Sequence, residues 1–434
     1  MKLFKQSGLA MLVIMMMLVT ACGGADPTAT VPAAAPTTAP AAVNTPTTGA
    51  MAPTTMPAAA TPATGGAMMP KVTGALTVWH SYTSGGSAEV AAFQKGLDQF
   101  KKDNPEATVT VLDVPFDQLF NKFETEAAAG GGPDMFIAPN DSLGKEVRAG
   151  LLMQLDDKLK GHLDNDLQVA VDGSKVDGKL YAVPESLKAV AMFYNKDKVT
   201  KPPATTDELM TAVKGGLKFG INQGAYHNWG FYNAFGGTIF DASGKSVAAT
   251  TGVADAFQYL KDLKAAGAQF FTDGSKLDEA FQNKALDGLI EGPWKTGDFK
   301  KALGASLGVA PMPAGPKGPS MPMTGVDGWY INANTKNVDN AVNFALYMVS
   351  PTVEQIFVDE AGHIPADKTL KISDPITQGF ATAVANGFPR PQTPELDNYW
   401  GNFGDAFNKI MDKDADVKAT TAEADAATNK ANKK

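Results

Sequence analysis

Cysteine is nearly absent from this sequence. A single one, Cys22, among 434 residues excludes any disulfide within the chain and any cysteine-rich zinc site. The four histidines, His80, His162, His227 and His363, are too scattered to imply a metal, and neither a metal nor a cofactor is expected. Positive charge is also in short supply: the formal net charge is −8 and no basic cluster stands out, which argues against a nucleic-acid or anionic-membrane surface, since both recruit basic patches. H-E-x-x-H, the dinucleotide fingerprint and G-x-x-x-x-G-K-[ST] are all missing, so nothing in the chain binds ATP through a P-loop.

What is present is enough apolar material for a sizeable core. With 44% hydrophobic and 19% charged residues, a chain this long is expected to form more than one domain, and two lobes are the natural division.

The first residues read as a secretory leader (1–21). Lys2 and Lys5 form its positive end, and Leu9 to Val19 form an apolar core too short to span a bilayer comfortably. Val19-Thr20-Ala21-Cys22 resembles the lipobox of bacterial lipoproteins, which implies cleavage before Cys22 and a diacylglyceryl thioether on its sulfur. The alternative is a free cysteine beside an ordinary cleavage site. Between Ala25 and Pro70 the composition collapses to Ala, Pro, Thr, Gly and Met with one charge, Asp26, and such a segment cannot bury enough surface to offset its ordering entropy. Residues 22–73 are therefore expected to be a tether, with a reach of roughly 40 Å as a flexible coil.

From Gly74 the pattern becomes that of a folded α/β domain. Leu76 to Trp79 reads as a strand, Val90, Phe93, Leu97 and Phe100 recur at helical spacing, and Asn104-Pro105 stops them. Ala107 to Val114 alternates as a strand, Phe116 to Ala129 is helical, and Met135 to Ile137 is an apolar strand. This βαβ rhythm implies a parallel sheet covered by helices. Ala189 to Tyr194 and Gly325 to Asn332 are further strands, while Val253, Phe257, Leu260 and Leu263 form a helix face. The last twenty residues are expected to be a solvated helix or a frayed tail.

Gly304-Ala305-Ser306-Leu307-Gly308 matches G-x-S-x-G, with His363 downstream as a possible base. That elbow requires a strand before the serine and a helix after it, and here the order is reversed, so a hydrolase using Ser306 is the remote alternative. More informative are aromatic residues set beside Gly, Pro and polar groups: Tyr226, His227 and Trp229 in NQGAYHNW, Trp294 in IEGPWKTGD, Trp329 in GVDGWYIN, and Tyr399 and Trp400 in ELDNYWGNFG. Flat rings rimmed by carboxylates and amides suit the apolar faces and polar edges of sugars; core packing is the other fate open to each ring.

GALTVWHSY, GGGPDMFIAPNDSLG, AGLLMQLDD, DGKLYAVPESLKAVAMFYNKDKV, FQNKALDGLIEGPW and GVDGWYINANTKN occur in the order in which similar segments occur in family 1 extracellular solute-binding proteins of bacterial ABC sugar importers. The chain resembles their maltose and maltodextrin-binding branch over roughly residues 74–434. The resemblance implies a two-lobed, type II periplasmic-binding fold, each lobe a mainly parallel sheet flanked by helices, with ligand held in the cleft between lobes. It implies an N-terminal lobe of 74–187 plus 329–370 and a C-terminal lobe of 190–324 plus 375–434. The crossings would lie near 187–190, 324–328 and 371–375.

Carried over residue by residue, the resemblance makes Tyr226, Trp294 and Trp400 sugar-stacking aromatics and Asp141 a carboxylate that accepts from sugar hydroxyls. Trp329, Glu291 and Lys188 complete the expected ligand-binding set. The polar rim departs from the family's pattern. Ala138 stands where maltose binders have Trp, Ser142 replaces an Arg, Gly224 replaces a Glu, and Thr83 and Ser84 replace an Asp and a Lys. Lys188 stands in place of a sugar-binding Glu and would either select an anionic or differently hydroxylated sugar or pair with Glu185 or Glu291. The expected function is that of a lipid-anchored extracytoplasmic receptor without catalytic residues. It would close by hinge motion on a maltodextrin-like oligosaccharide and hand it to a permease and a separate ATPase, with a monomer as the working unit and no nucleic-acid partner. A non-sugar or anionic solute in the same fold is the alternative.

Overall fold

The computed structural model describes residues 71–434; the leader, Cys22 and nearly all of the expected tether lie outside the described residues. In chain order the strands are β1 (Gly74–His80), β2 (Ala107–Asp113), β3 (Met135–Pro139), a small hairpin of β4 (Lys175–Val176) and β5 (Lys179–Leu180), β6 (Ala182–Lys188) and β7 (Ala191–Asn195). They continue with β8 (Phe219–Asn222), β9 (Gln269–Phe271), β10 (Gly288–Glu291), β11 (Leu307–Ala310), β12 (Met323–Ile331), β13 (Ile364–Pro365) and β14 (Phe388–Pro389).

The βαβ rhythm at the start folds as its spacing predicts. In the helix Ser87–Asp103, Ala92, Phe93, Gly96, Leu97 and Phe100 face the core at intervals of one, three and four, the stripe that a 3.6-residue turn requires. Asn104 stops it: its side-chain amide donates to Phe100 O at 3.0 Å, while its Oδ1 accepts from Val72 N at 2.9 Å and so fixes the chain just before β1.

Two sheets result, ordered β13-β6-β12-β3-β1-β2, with β14 beside β12, and β11-β7-β10-β8-β9. In the first, β1 runs parallel to β2 on one side and to β3 on the other. In the second, β8 stands in the same relation to β9 and β10. Connections that leave one strand toward opposite sides open a crevice at the carboxyl ends of the strands, and both sheets have one.

Apart from the short parallel pairing of β12 with β14, the other ladders are antiparallel. β12 runs against β3 and β6, and β7 runs against β10 and β11. Mainly parallel sheets were expected, and the difference has a topological cause. β7 follows β6 of the first sheet, and β12 follows β11 of the second, so each enters its sheet as the first strand after a crossing and inserts from the opposite end. Residues 189 and 190 make one crossing, residues 311–322 lead into β12, and residues 366–374 lead from β13 to the helix Pro375–Ala385. That helix packs Phe380 against Phe193 of β7, ring centroids 4.9 Å apart.

The first sheet is covered on one face by a cluster around Phe93, Phe100, Trp329 and Phe344, and on the other by Phe123, Phe136 and Tyr330. A third cluster gathers Leu187 and Val326 of the first sheet with Phe193 and Leu289 of the second. The seam between lobes is thus itself a core, in which each fully buried large side chain contributes about 1.5–3 kcal/mol. The C-terminal residues are not a frayed tail. The helix Val417–Ala431 buries Thr420, Thr421, Ala424 and Thr428, and the carboxylate of Asp425 accepts from Ala248 N and Ala249 N at 3.0 and 2.6 Å, docking the helix on the second lobe.

Candidate functional site

A cavity of about 660 Å³ lies where the carboxyl ends of the two sheets meet. β1 leads into Ser81, Tyr82 and Ser84; β3 leads into Asp141; β8 leads into Tyr226 and His227; β10 ends at Glu291 and leads into Trp294.

Local chemistry sets the aromatic wall. Asn222 at the end of β8 turns the chain by accepting from Gly224 N at 2.7 Å, and Asn228 donates back to Asn222 O and Gly224 O at 2.8 and 2.9 Å. The helix Ala225–Ala234 then starts with Tyr226 toward the cavity. A Cβ on Gly224 would stand 3.0 Å from the Asn222 side-chain oxygen, a tight approach at the turn. After β10, Gly292-Pro293-Trp294 forms a single tight turn. A Cβ on Gly292 would lie 2.1 Å from the Trp294 ring, so the glycine makes room for the indole. The rings of Tyr226 and Trp294 are 6.2 Å apart and tilted by 40°.

Each basic side chain lining this cavity is already engaged. Lys188 contacts Asp327 at 2.6 Å and Glu89 at 3.2 Å. Burial works against its charge, but the two carboxylates outweigh it and hold the ammonium well above its ordinary value. Its partners are thus neither Glu185 nor Glu291. Lys295 pairs with Asp278 at 3.0 Å, and His227 Nε2 lies 3.1 Å from Glu291. Arg390 is joined to Asp141 and donates to Asn140 Oδ1 at 3.1 Å. Burial pushes the carboxyl groups of Asp278 and Asp327 up, to about 7 and about 6, against the pull of their lysines.

Four polar atoms of cavity-lining residues are buried without a partner in the protein: Tyr82 Oη, Tyr226 Oη, Asp278 Oδ1 and Asp327 Oδ1. Buried polar groups are ordinarily satisfied, so these four atoms are unmet hydrogen-bonding capacity around the cavity.

Of the expected set, Tyr226, Trp294, Asp141, Lys188 and Glu291 line the cavity. Trp400 packs behind it, its ring 5.8 Å from the Arg390 guanidinium. Trp329 does not line it. It is 1% exposed, with its ring against Phe93 and Phe344 in the first lobe's core, because position 329 of a central strand, sandwiched between β3 and β6, has helices over it rather than solvent. The elbow fails as well: Ser306 sits in a short turn before β11 and donates to Asp197 at 2.7 Å, while both ring nitrogens of His363 lie 2.8 Å from carboxylates, Glu185 and Glu89. Tyr82, Glu89, Asp278, Asp327 and Arg390 were not expected. For Asp327 a signal existed, a charge inside an otherwise apolar strand; for the others none was available, since partners far away in sequence place them.

The comparisons agree with this geometry. Residues 95–384 match the family model for the bacterial extracellular solute-binding protein. The chain belongs to that family. Among the relatives of this solute-binding protein are the maltotriose-binding protein of Pyrococcus abyssi, 29% identical over 80% of each chain, and the galactooligosaccharide-binding protein of Bacillus subtilis, 26% identical over 79% of this chain and 86% of that one. The Thermus thermophilus maltotriose-binding protein, solved with maltotriose bound, superposes with a TM-score of 0.74 at 31% identity, covering 82% of this chain and 99% of that one. The fold is the type II periplasmic-binding fold, and the solute-binding protein is extracytoplasmic and not an enzyme. Among the described residues no helix is long and apolar enough to cross a membrane.

Proposed function

We propose that this solute-binding protein captures a neutral oligosaccharide for an ABC importer. One observation carries the reading: the tilted aromatic pair Tyr226 and Trp294 faces a cavity whose basic side chains are all internally paired, and Tyr82, Tyr226, Asp278 and Asp327 around it each keep a buried oxygen without a partner in the protein. Sugars offer apolar faces to rings and hydroxyls to such atoms. An anionic solute finds no uncommitted cation there. The names of the relatives, binders of maltotriose and of galactooligosaccharides, point to the same class.

Closure would hinge where β6 and β12 run side by side, Lys188 opposite Gly325 and Val326 opposite Leu187, with ligand contacts from both lobes favouring the closed state. The chain would work on the extracytoplasmic side of the cell membrane, anchored to it by lipid on Cys22, as one named relative, a lipoprotein of Streptococcus pneumoniae, suggests. It would deliver its cargo to a permease with a separate ATPase.

Thermal unfolding of the mature chain against neutral maltodextrins, galactooligosaccharides, uronates and sugar phosphates tests the reading. Ligand at a hundredfold excess over its dissociation constant stabilises the folded state by about 2.7 kcal/mol. A shift with neutral sugars supports the proposal, and a shift with acidic sugars alone overturns it. Mass spectrometry of the N-terminal peptide tests the anchor: an unmodified Cys22 thiol would refute it.

A further inference from the structure

The sequence contains only two arginines, Arg148 and Arg390, and both reach across the same end of the cleft. Arg148, from the helix after β3, donates to Gln392 O at 3.1 Å and to Asp397 at 2.9 Å on the second lobe. Arg390, directly after β14, reaches Asn140 and Asp141 beyond β3. Its Nε also points to Met323 Sδ at 3.2 Å.

The seat of the Arg390 guanidinium is unusual. Its carbon lies 5.1 Å from the centre of the Tyr226 ring and 5.8 Å from that of Trp400. Gly325 lies beneath it, where a Cβ would come within 3.1 Å of the guanidinium carbon and both terminal nitrogens. Its side chain is 3% exposed. Arg390 lines the cavity and Trp400 does not, so the planar cation covers that ring and takes up the carboxylate of Asp141. A guanidinium is flat, rich in donors and suited to stacking on aromatic faces, the same properties a sugar ring presents to such a platform.

We propose that Arg390 is a specificity-determining stop, occupying the subsite formed by Tyr226, Trp400 and Asp141 and so limiting how long an oligosaccharide the cleft accepts. This rests on the saccharide reading given above. Ligand is confined to the part of the cavity bounded by Trp294, Tyr82 and Asp278, and the far end is closed by the protein's own side chain.

The test is titration calorimetry of the full mature chain and of Arg390→Ala with malto- and galactooligosaccharides graded from disaccharide to heptasaccharide. In the wild type, affinity is expected to stop rising with length; in Arg390→Ala, the first oligosaccharide beyond that limit is expected to gain about tenfold, the worth of one aromatic contact. Should Arg390→Ala fail to fold, Arg390→Lys, which keeps a cation at Asp141 but gives up the plane over the rings, carries the same comparison. Length profiles of wild type and variant that coincide, or that differ by one factor at every length, overturn the stop while leaving the saccharide reading intact. No binding of either series by the wild type overturns the saccharide reading, and the stop with it.

Discussion

Lys188 and Asp327 meet at 2.6 Å on adjacent antiparallel strands, with Glu89 3.2 Å from the same ammonium. The lysine that the sequence offers as a possible hook for an anionic sugar is thus committed to two buried carboxylates. Removing one partner of a buried pair costs about 3–5 kcal/mol, because it strands the other charge. Lys188→Met is therefore expected to lose that much stability in urea unfolding. A loss below about 0.5 kcal/mol would mean that the ammonium is not structural.

Trp294→Ala is expected to weaken sugar binding by about 1–3 kcal/mol with little change in melting temperature, as for a partly buried aromatic anchor. Gly292→Ala should reproduce much of that loss without touching the indole chemically, since its new Cβ would fall on the ring and φ at this position, −98°, is ordinary for alanine. Calorimetry on both variants is the check; full affinity in Gly292→Ala would show that the ring's position is immaterial.

His363 ties two elements together, its nitrogens 2.8 Å from Glu185 of β6 and from Glu89 of the helix Ser87–Asp103. Burial opposes its charge, yet Glu185 and Glu89 raise its pKa to about 10. The folded state then binds more protons than the unfolded state between about 6.5 and 10, so the stabilisation is complete below about 6.5 and is lost as pH rises toward 10, at about 1.4 kcal/mol per unit for one proton. Burial opposes the charge of Glu89 as well, yet Lys188 and His363 hold its pKa down at about 2, so it acts at the other limit: its share is lost as pH falls from the ordinary carboxylate value toward 2. Denaturation at several alkaline pH values should show the decline in wild type and a shallower one in His363→Gln; parallel curves would exclude His363 as its source.

Ser87 and Asp298 make a further contact between the lobes. Ser87 Oγ donates to Asp298 at 2.6 Å and its backbone N–H at 3.2 Å, and a Cβ on Gly86, which has φ of +146°, would collide with that carboxylate. Asp298→Ala is expected to weaken ligand binding by about 0.5–1.5 kcal/mol and to raise the ligand-free radius of gyration in X-ray scattering. An unaltered radius would show that this contact does not hold the lobes together.

Much of the fold was legible because it is local. The stripe from Val90 to Phe100 and the alternation of residues 107–114 need only their own neighbours to declare helix and strand. The aromatic pair was legible because Gly-Ala-Tyr and Gly-Pro-Trp mark ring-bearing turns. Trp329 was misjudged because Asp327 and Gly328 beside it resemble the polar and glycine neighbours of the other site aromatics, whereas β12 lies between two strands and is covered on both faces. Arg390 was invisible: Pro389 and Pro391 beside it announce only an irregular segment, and Asp141, Tyr226 and Gly325, which give it meaning, are distant in sequence. The same holds for Glu89, an ordinary first-turn acid until His363 and Lys188 are brought to it.

The placement of β12 has a consequence for the order in which the molecule is made. β3 and β6 are joined only through a strand that begins at Met323, so the first sheet remains in two pieces until most of the polypeptide has been synthesised. Pairings between such distant segments are slow to form. In a receptor that works outside the cell, a sheet whose middle is delivered late postpones the final shape of the chain to the closing stage of its making.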